Sequence, residues 1–217
     1  MSSEWSDLNK TMQNQIKKKD SFNDGINTLL ELRKGLLKEI FKFKDTIKRN
    51  DFDKIPFINA KGYHNKTIVY SLWHIFRIED IVTHTLIQKD KQIFFDKDYQ
   101  KRINSPIITT GNELVKEEIS DFSKDLNLDE LYQYIVDVNE STIELLRNLS
   151  YSDLKIQMSN MDKEQIKELK VVSDDENAAW LIDYWCKKNI KGLITMPLSR
   201  HWIMHVDACS RILKKVL

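Results

Sequence analysis

Apolar positions recur with a helical period over most of this chain. Between residues 22 and 49, Ile26, Leu29, Leu30, Leu36, Leu37, Ile40, Phe41 and Ile47 fall at helical spacing with lysines between them, the mark of a long amphipathic helix. Pro56 and Gly62 interrupt the pattern, and Asn65 or Thr67 then offers an N-cap for a second helix reaching Gln88. That helix is apolar almost all round, with Ile68, Val69, Leu72, Trp73, Ile75, Phe76, Ile78, Ile81, Val82 and Leu86 leaving a narrow polar strip. Such an element belongs at the centre of a bundle. The strip itself, with Arg77, Asp80 and His84, reads as a surface salt-bridge face.

The period weakens over 89–127, where Asn104, Ser105 and Pro106 break it and Thr110 with Glu113 forms a capping box for a short helix ending at Phe122. Asn127 with Glu130 caps a third long helix, whose stripe runs through Leu131, Ile135, Val138, Thr142, Leu145 and Leu149 to an end near Ser150. Over 150–196 two shorter helices are expected, one from Ser159 and one opened by Ser173 and Glu176 and stopped by Lys191 and Gly192. Pro197, tolerated in a first helical turn, opens a fourth long helix to Val216. The pattern predicts one all-α domain over 1–217, a four-helix bundle with a polar N-terminal extension at 1–20. Its connections at 89–127 and 150–196 are long crossovers carrying short extra helices.

Composition narrows the functions open to this bundle. Five glycines and three prolines in 217 residues are too few for a strand-rich fold, which turns every ~8–12 residues, and provide no clustered glycines for a phosphate loop. A net charge of +1, from 34 basic and 33 acidic residues, leaves no overall electrostatic footprint for nucleic acid or an anionic membrane. Cys186 and Cys209 are too few for a disulfide framework, the first twenty residues lack the apolar segment of a secretory signal, and no run approaches the ~18 apolar residues of a membrane span. The expectation is a soluble cytoplasmic protein acting on a small molecule, with neither nucleic acid nor membrane as partner.

Five histidines remain: His64, His74, His84, His201 and His205. His201 and His205, four residues apart, stack on one face of the last helix, and Ala208 and Ile212 continue that face into the bundle. His74 in the second helix is followed by Ile78 and Ile81, so it also borders apolar surface. Either histidine feature alone reads as structural. Burying three unpartnered imidazoles is costly, and if the two helices are neighbours the three complete a site for one divalent metal. Three neutral nitrogen ligands with an open position are the pattern of catalytic zinc, and nickel, iron or manganese suit the same donors. Arg200 and Trp202 flank His201 and are candidate substrate contacts, against the plainer readings of a surface arginine and a core tryptophan. Cys209 reads as a buried inert thiol, Cys186 as no nucleophile, and His64 as a solvated loop residue.

The segment from Trp73 to Asp80, Trp-His-Ile-Phe-Arg-Ile-Glu-Asp, paired with the late His201-xxx-His205, resembles the DinB/YfiT-like superfamily of metal-dependent enzymes, in order over most of the chain. The resemblance implies a four-helix bundle of up-down-down-up connectivity in which His74, His201 and His205 bind a divalent metal, zinc or nickel foremost. The family name refers to induction by DNA damage and implies no DNA chemistry. Relatives of this kind include transferases acting with low-molecular-weight thiols, so the resemblance implies a thiol-dependent S-transferase for small electrophiles, with a thiol as a second cofactor. Two alternatives stay open at the level of sequence: metal-assisted hydrolysis of a small molecule, and a non-catalytic metal-binding bundle that forms a homodimer.

Overall fold

In a computed structural model, residues 3–217 are described, and among them every regular element is helical, apart from an isolated antiparallel bridge between Gln157 and Asn189. The order is α1 (Ser3–Gln15), α2 (Phe22–Thr46), α3 (Ile68–Asp80), α4 (Ile93–Asp96), α5 (Tyr99–Ile103), α6 (Glu117–Lys124), α7 (Leu128–Asn148), α8 (Asn160–Leu169), α9 (Glu176–Cys186), α10 (Ile190–Thr195) and α11 (His201–Val216). Two stretches are wound more widely, with a π-helical period: Ile81–Gln88, which prolongs α3, and Met196–Arg200, which leads into α11. Among the described residues no helix is long and apolar enough to cross a membrane.

The four long apolar stripes become α2, α3 with its extension, α7 and α11. Helix α3 packs against both α7 and α11, and α2 touches the same two. Thr67 caps α3 by accepting a hydrogen bond from the Tyr70 N–H (2.9 Å), and Asn127 caps α7 through the Glu130 N–H. The connections at 89–127 and 150–196 do carry short helices, with shifted boundaries. The segment after Thr110 becomes helical at Glu117, and α9 is capped by Asp175 rather than Ser173. Gly192 lies inside α10 rather than ending α9.

Two readings of polarity are corrected. The first twenty residues include a packed helix: α1 lies against α2 and buries Met12, with Ile16 just beyond it, and the two chains pass so closely at Gly25 that a Cβ there would lie 2.5 Å from Ile16 Cγ2. The polar strip of the second helix is buried as well, because α4 and α7 cover it. Each strip residue has a partner there. Arg77 Nε donates to the Ile108 carbonyl (2.9 Å) and its guanidinium lies over the Phe94 ring, while Asp80 accepts from the Ile93 and Phe94 N–H groups and the Tyr134 hydroxyl. His84 lies between Asp90 (Nδ1, 2.7 Å) and Ser141 (Nε2, 3.1 Å), clipping the end of the extended α3 to α7.

One ion pair ties the long helices together. Arg33 of α2 binds Glu79 of α3 with two hydrogen bonds (3.0 and 2.6 Å), donates to Asn139 Oδ1 of α7 (2.9 Å) and to the Leu198 carbonyl ahead of α11 (3.1 Å), and stacks on Trp202 of α11 at 4.2 Å. Trp202 Nε1 donates to the same Glu79 carboxylate (2.7 Å). Both charges are essentially unexposed. Leu29 and Leu32, one turn before and just before Arg33, belong to the two different apolar clusters of the interior, so the ion pair sits where those clusters meet.

Removing one member would strand the other charge in the interior, a loss of roughly 3–5 kcal/mol. Arg33→Met should therefore lower the urea midpoint strongly, and adding Glu79→Met should recover part of the loss, a non-additivity that a double-mutant cycle measures.

Candidate metal centre

The three histidines predicted from the helical pattern meet in space. His74 projects from α3 and His201 and His205 from successive turns of α11, all three buried. Their ring centroids are 5.1 Å (His74–His201), 5.0 Å (His74–His205) and 4.6 Å (His201–His205) apart, and one nitrogen from each lies within 4.8 Å of the other two. Zinc–nitrogen bonds are about 2.0–2.1 Å, so small side-chain movements bring the set onto one ion.

Local structure explains how the rings are held. The wide turn Met196–Arg200 delivers the chain so that α11 begins at His201, and the four-residue spacing then stacks His205 one turn further on. His74 Nδ1 lies 2.6 Å from the Thr110 carbonyl. A carbonyl can only accept, so Nδ1 carries the proton and the Nε2 lone pair faces away from that bond, the arrangement in which backbone groups orient metal-binding imidazoles. Tyr70 stacks on His74 (5.4 Å, 13°) and is itself tied by its hydroxyl to the Gly111 carbonyl (2.8 Å), while Tyr63 meets His205 edge-on (4.7 Å). Gly111 has φ +75°, and a Cβ there would press on Trp73 and Tyr70 at 3.0 Å, so glycine is what lets this connection close over the histidine helix.

The environment favours neutral imidazoles. Burial pushes the His74 pKa down to about 4, opposed in part by the bond to Thr110, and burial together with the neighbouring histidines holds His201 and His205 well below the usual histidine value. Neutral imidazoles have lone pairs to give. Nδ1 of His201 and of His205 is buried without a hydrogen-bond partner, an expensive condition for polar atoms that meet nothing else. Three unprotonated nitrogens without competing donors fit a borderline divalent ion such as zinc or nickel.

The cluster forms the floor of a cavity of about 440 Å³, within the usual range for small-molecule sites. Its walls come from Tyr63, Lys66 and Tyr70 near the start of α3, Asn112 in the following connection, and Trp180, Tyr184 and Trp185 of α9. Sequence reading missed these residues as site components. Trp180 and Tyr184 share one face of α9 by their four-residue spacing, and their ring centroids are 5.6 Å apart, a signal that was present but indistinguishable from a core stripe. Trp180 is about half exposed at the rim.

Of the two flanking residues, neither lines the cavity. Trp202 is fully buried on a neighbouring face of α11, bonded to Glu79 and stacked on Arg33, which is the plainer reading of a core tryptophan. Arg200 is exposed, and its charge acts on Tyr63, where it opposes the rise in the phenol pKa caused by burial. Cys209 is buried one turn beyond His205, its thiol pushed up to about 12 by desolvation, as an inert core cysteine would be. Cys186 is half-buried and also shifted upward by burial, the opposite of an activated thiol. His64 is partly buried and packs edge-on against Phe57 at 6.3 Å rather than standing in solvent.

Fold and site together define an all-helical protein with a buried three-histidine cluster able to hold a metal ion. No family model, curated protein or solved structure matches the chain.

The depressed histidine pKa values set a sign for the pH dependence of the ion-free protein. Below pH 6.5 the unfolded chain binds protons that the folded chain refuses, so stability falls as pH falls; the His74 share is lost in full as pH passes about 4, and His201 and His205 act in the same direction. Urea midpoints recorded in chelator from neutral to acid pH should show this decline, and His74→Phe should make it shallower.

Proposed function

We propose that the chain is a metal-dependent enzyme of the DinB/YfiT-like kind, its four long helices connected up-down-down-up, which transfers a low-molecular-weight thiol to a small electrophile. The observation that carries this reading is the convergence of His74, His201 and His205, buried and unprotonated, at the floor of a cavity of small-molecule size. These three residues would hold one divalent ion. When bound, such an ion lowers the pKa of a thiol or water and polarises a substrate oxygen.

The chain's own residues supply the setting. Thr110 fixes the His74 tautomer through its carbonyl, and Tyr70 and Tyr63 brace the His74 and His205 rings. The tryptophans and Tyr184 of α9 form an apolar wall on one side of the cavity, and a ligand seated against it would displace water from the centre, where electrostatic interactions then strengthen. The half-buried Cys186 lies on α9 and is not a lining residue of the cavity, so a thiol nucleophile would be supplied by a separate molecule.

Purified protein should carry, or take up on addition of zinc or nickel, about one ion per chain, the stoichiometry expected for a single three-nitrogen site. His201→Ala should lose that ion by elemental analysis while far-UV circular dichroism stays helical; full occupancy in the variant would remove His201 from the centre. Turnover of a chloro-nitroaromatic electrophile should require both the ion and an added low-molecular-weight thiol. Ion-dependent turnover of a small ester without any thiol would favour hydrolysis instead.

A further inference from the structure

The cavity contains a cation that the histidine cluster does not use. Lys66, two residues before α3, lines it half-buried, and its ammonium lies 5.3 Å from the centre of the Tyr70 ring. Among the described residues no carboxylate lies within ion-pair reach of it, although surface lysines such as Lys42, Lys54 and Lys124 each have one. Its charge reaches the centre, where it disfavours protonation of both His74 and His205. Burial pulls the Lys66 pKa down, as expected for a cation lacking a counter-charge.

Two further features describe the rest of a ligand that would sit beside Lys66. Asn112 Oδ1 is buried without a partner, and Asn112 lines the same cavity. It can accept from an N–H or O–H group on a ligand. The remaining lining from Trp180, Tyr184, Trp185, Met196 and Pro197 is apolar and largely aromatic. A neutral ligand would cover Lys66 and leave its charge more deeply desolvated than before, which costs free energy. An anion would convert the same burial into a charge-assisted pair in a low-dielectric setting. One ammonium matches the single charge of a carboxylate, whereas Asn112 Oδ1, an acceptor, would take an N–H or O–H carried elsewhere on the ligand.

We infer that the cavity selects small organic carboxylates, with the acid group seated on Lys66 and an aromatic or apolar body against the α9 wall. This rests on the cavity's being the working site, but not on an ion being bound at its floor.

Isothermal titration of the full chain with naphthoate and with its neutral isostere naphthamide tests the inference, in chelator and again after zinc loading. Wild type should prefer the acid by about tenfold or more, the scale of one charge-assisted contact, in both conditions. Lys66→Gln should lose the preference without changing naphthamide affinity, and Lys66→Arg should keep it. An unchanged preference in Lys66→Gln, equal affinities in wild type, or failure of both compounds to bind would each overturn the inference. If His201→Ala retains its ion while the Lys66-dependent preference persists, the metal reading fails and the carboxylate site stands. A preference present only with zinc and indifferent to Lys66 has the opposite meaning, since the acid then binds the ion alone.

Discussion

The neutralisation of Arg33 by Glu79 is the constraint on which the arrangement of the long helices depends. A guanidinium cannot shed its proton, so once buried it must be surrounded by acceptors. Here those acceptors come from α3, from α7 and from the turn before α11, while Trp202 of α11 supplies both an aromatic face and a donor to the same carboxylate. Apolar packing alone tolerates sliding between helices, whereas a two-point guanidinium–carboxylate bond does not. Glu79 follows His74 by five residues and Trp202 is the residue after His201. The register that satisfies the ion pair is therefore also the register that brings the histidines together.

The two polar systems lie on neighbouring faces of α11 and solve opposite problems. On the Trp202 side every charge is met by another and the interior is closed. On the histidine side burial has removed protons rather than paired them, and the nitrogens left without partners face a cavity. One face of α11 thus serves cohesion and the next is left chemically unsatisfied, the local exception that functional sites commonly make to otherwise consistent packing.

Much of this was legible in the sequence, for identifiable reasons. Apolar periodicity survives any tertiary environment, so α2, α3, α7 and α11 could be read along with the inward faces of His74, His201 and His205. Helix α1 was hidden by its polar average, although Trp5, Leu8 and Met12 keep helical spacing and Trp5 and Leu8 pack on the main core. The burial of Arg77, Asp80 and His84 was not legible, because a polar strip looks the same whether water or a partner covers it, and the partners lie at Ile93, Ile108 and Ser141, far along the chain. The cavity walls were illegible for the same reason. Lys66 and Asn112 have no periodic neighbours, and Asn112 meets the histidine cavity only once the 104–116 connection folds back over α3.

The histidines sit on two rigid core helices, whereas the apolar wall of the cavity is built from α9 and the turn that follows α10, segments inserted between α7 and α11. Substitutions at Trp180 and Tyr184 of α9 can thus reshape the cavity without disturbing either the Arg33–Glu79 register or the nitrogen cluster. The molecule separates a histidine floor built on core helices from an upper wall built on inserted segments, so a change of ligand preference need not be a change of fold. In a library randomised at the half-exposed Trp180 and at Tyr184, selectivity and stability would vary largely as independent quantities.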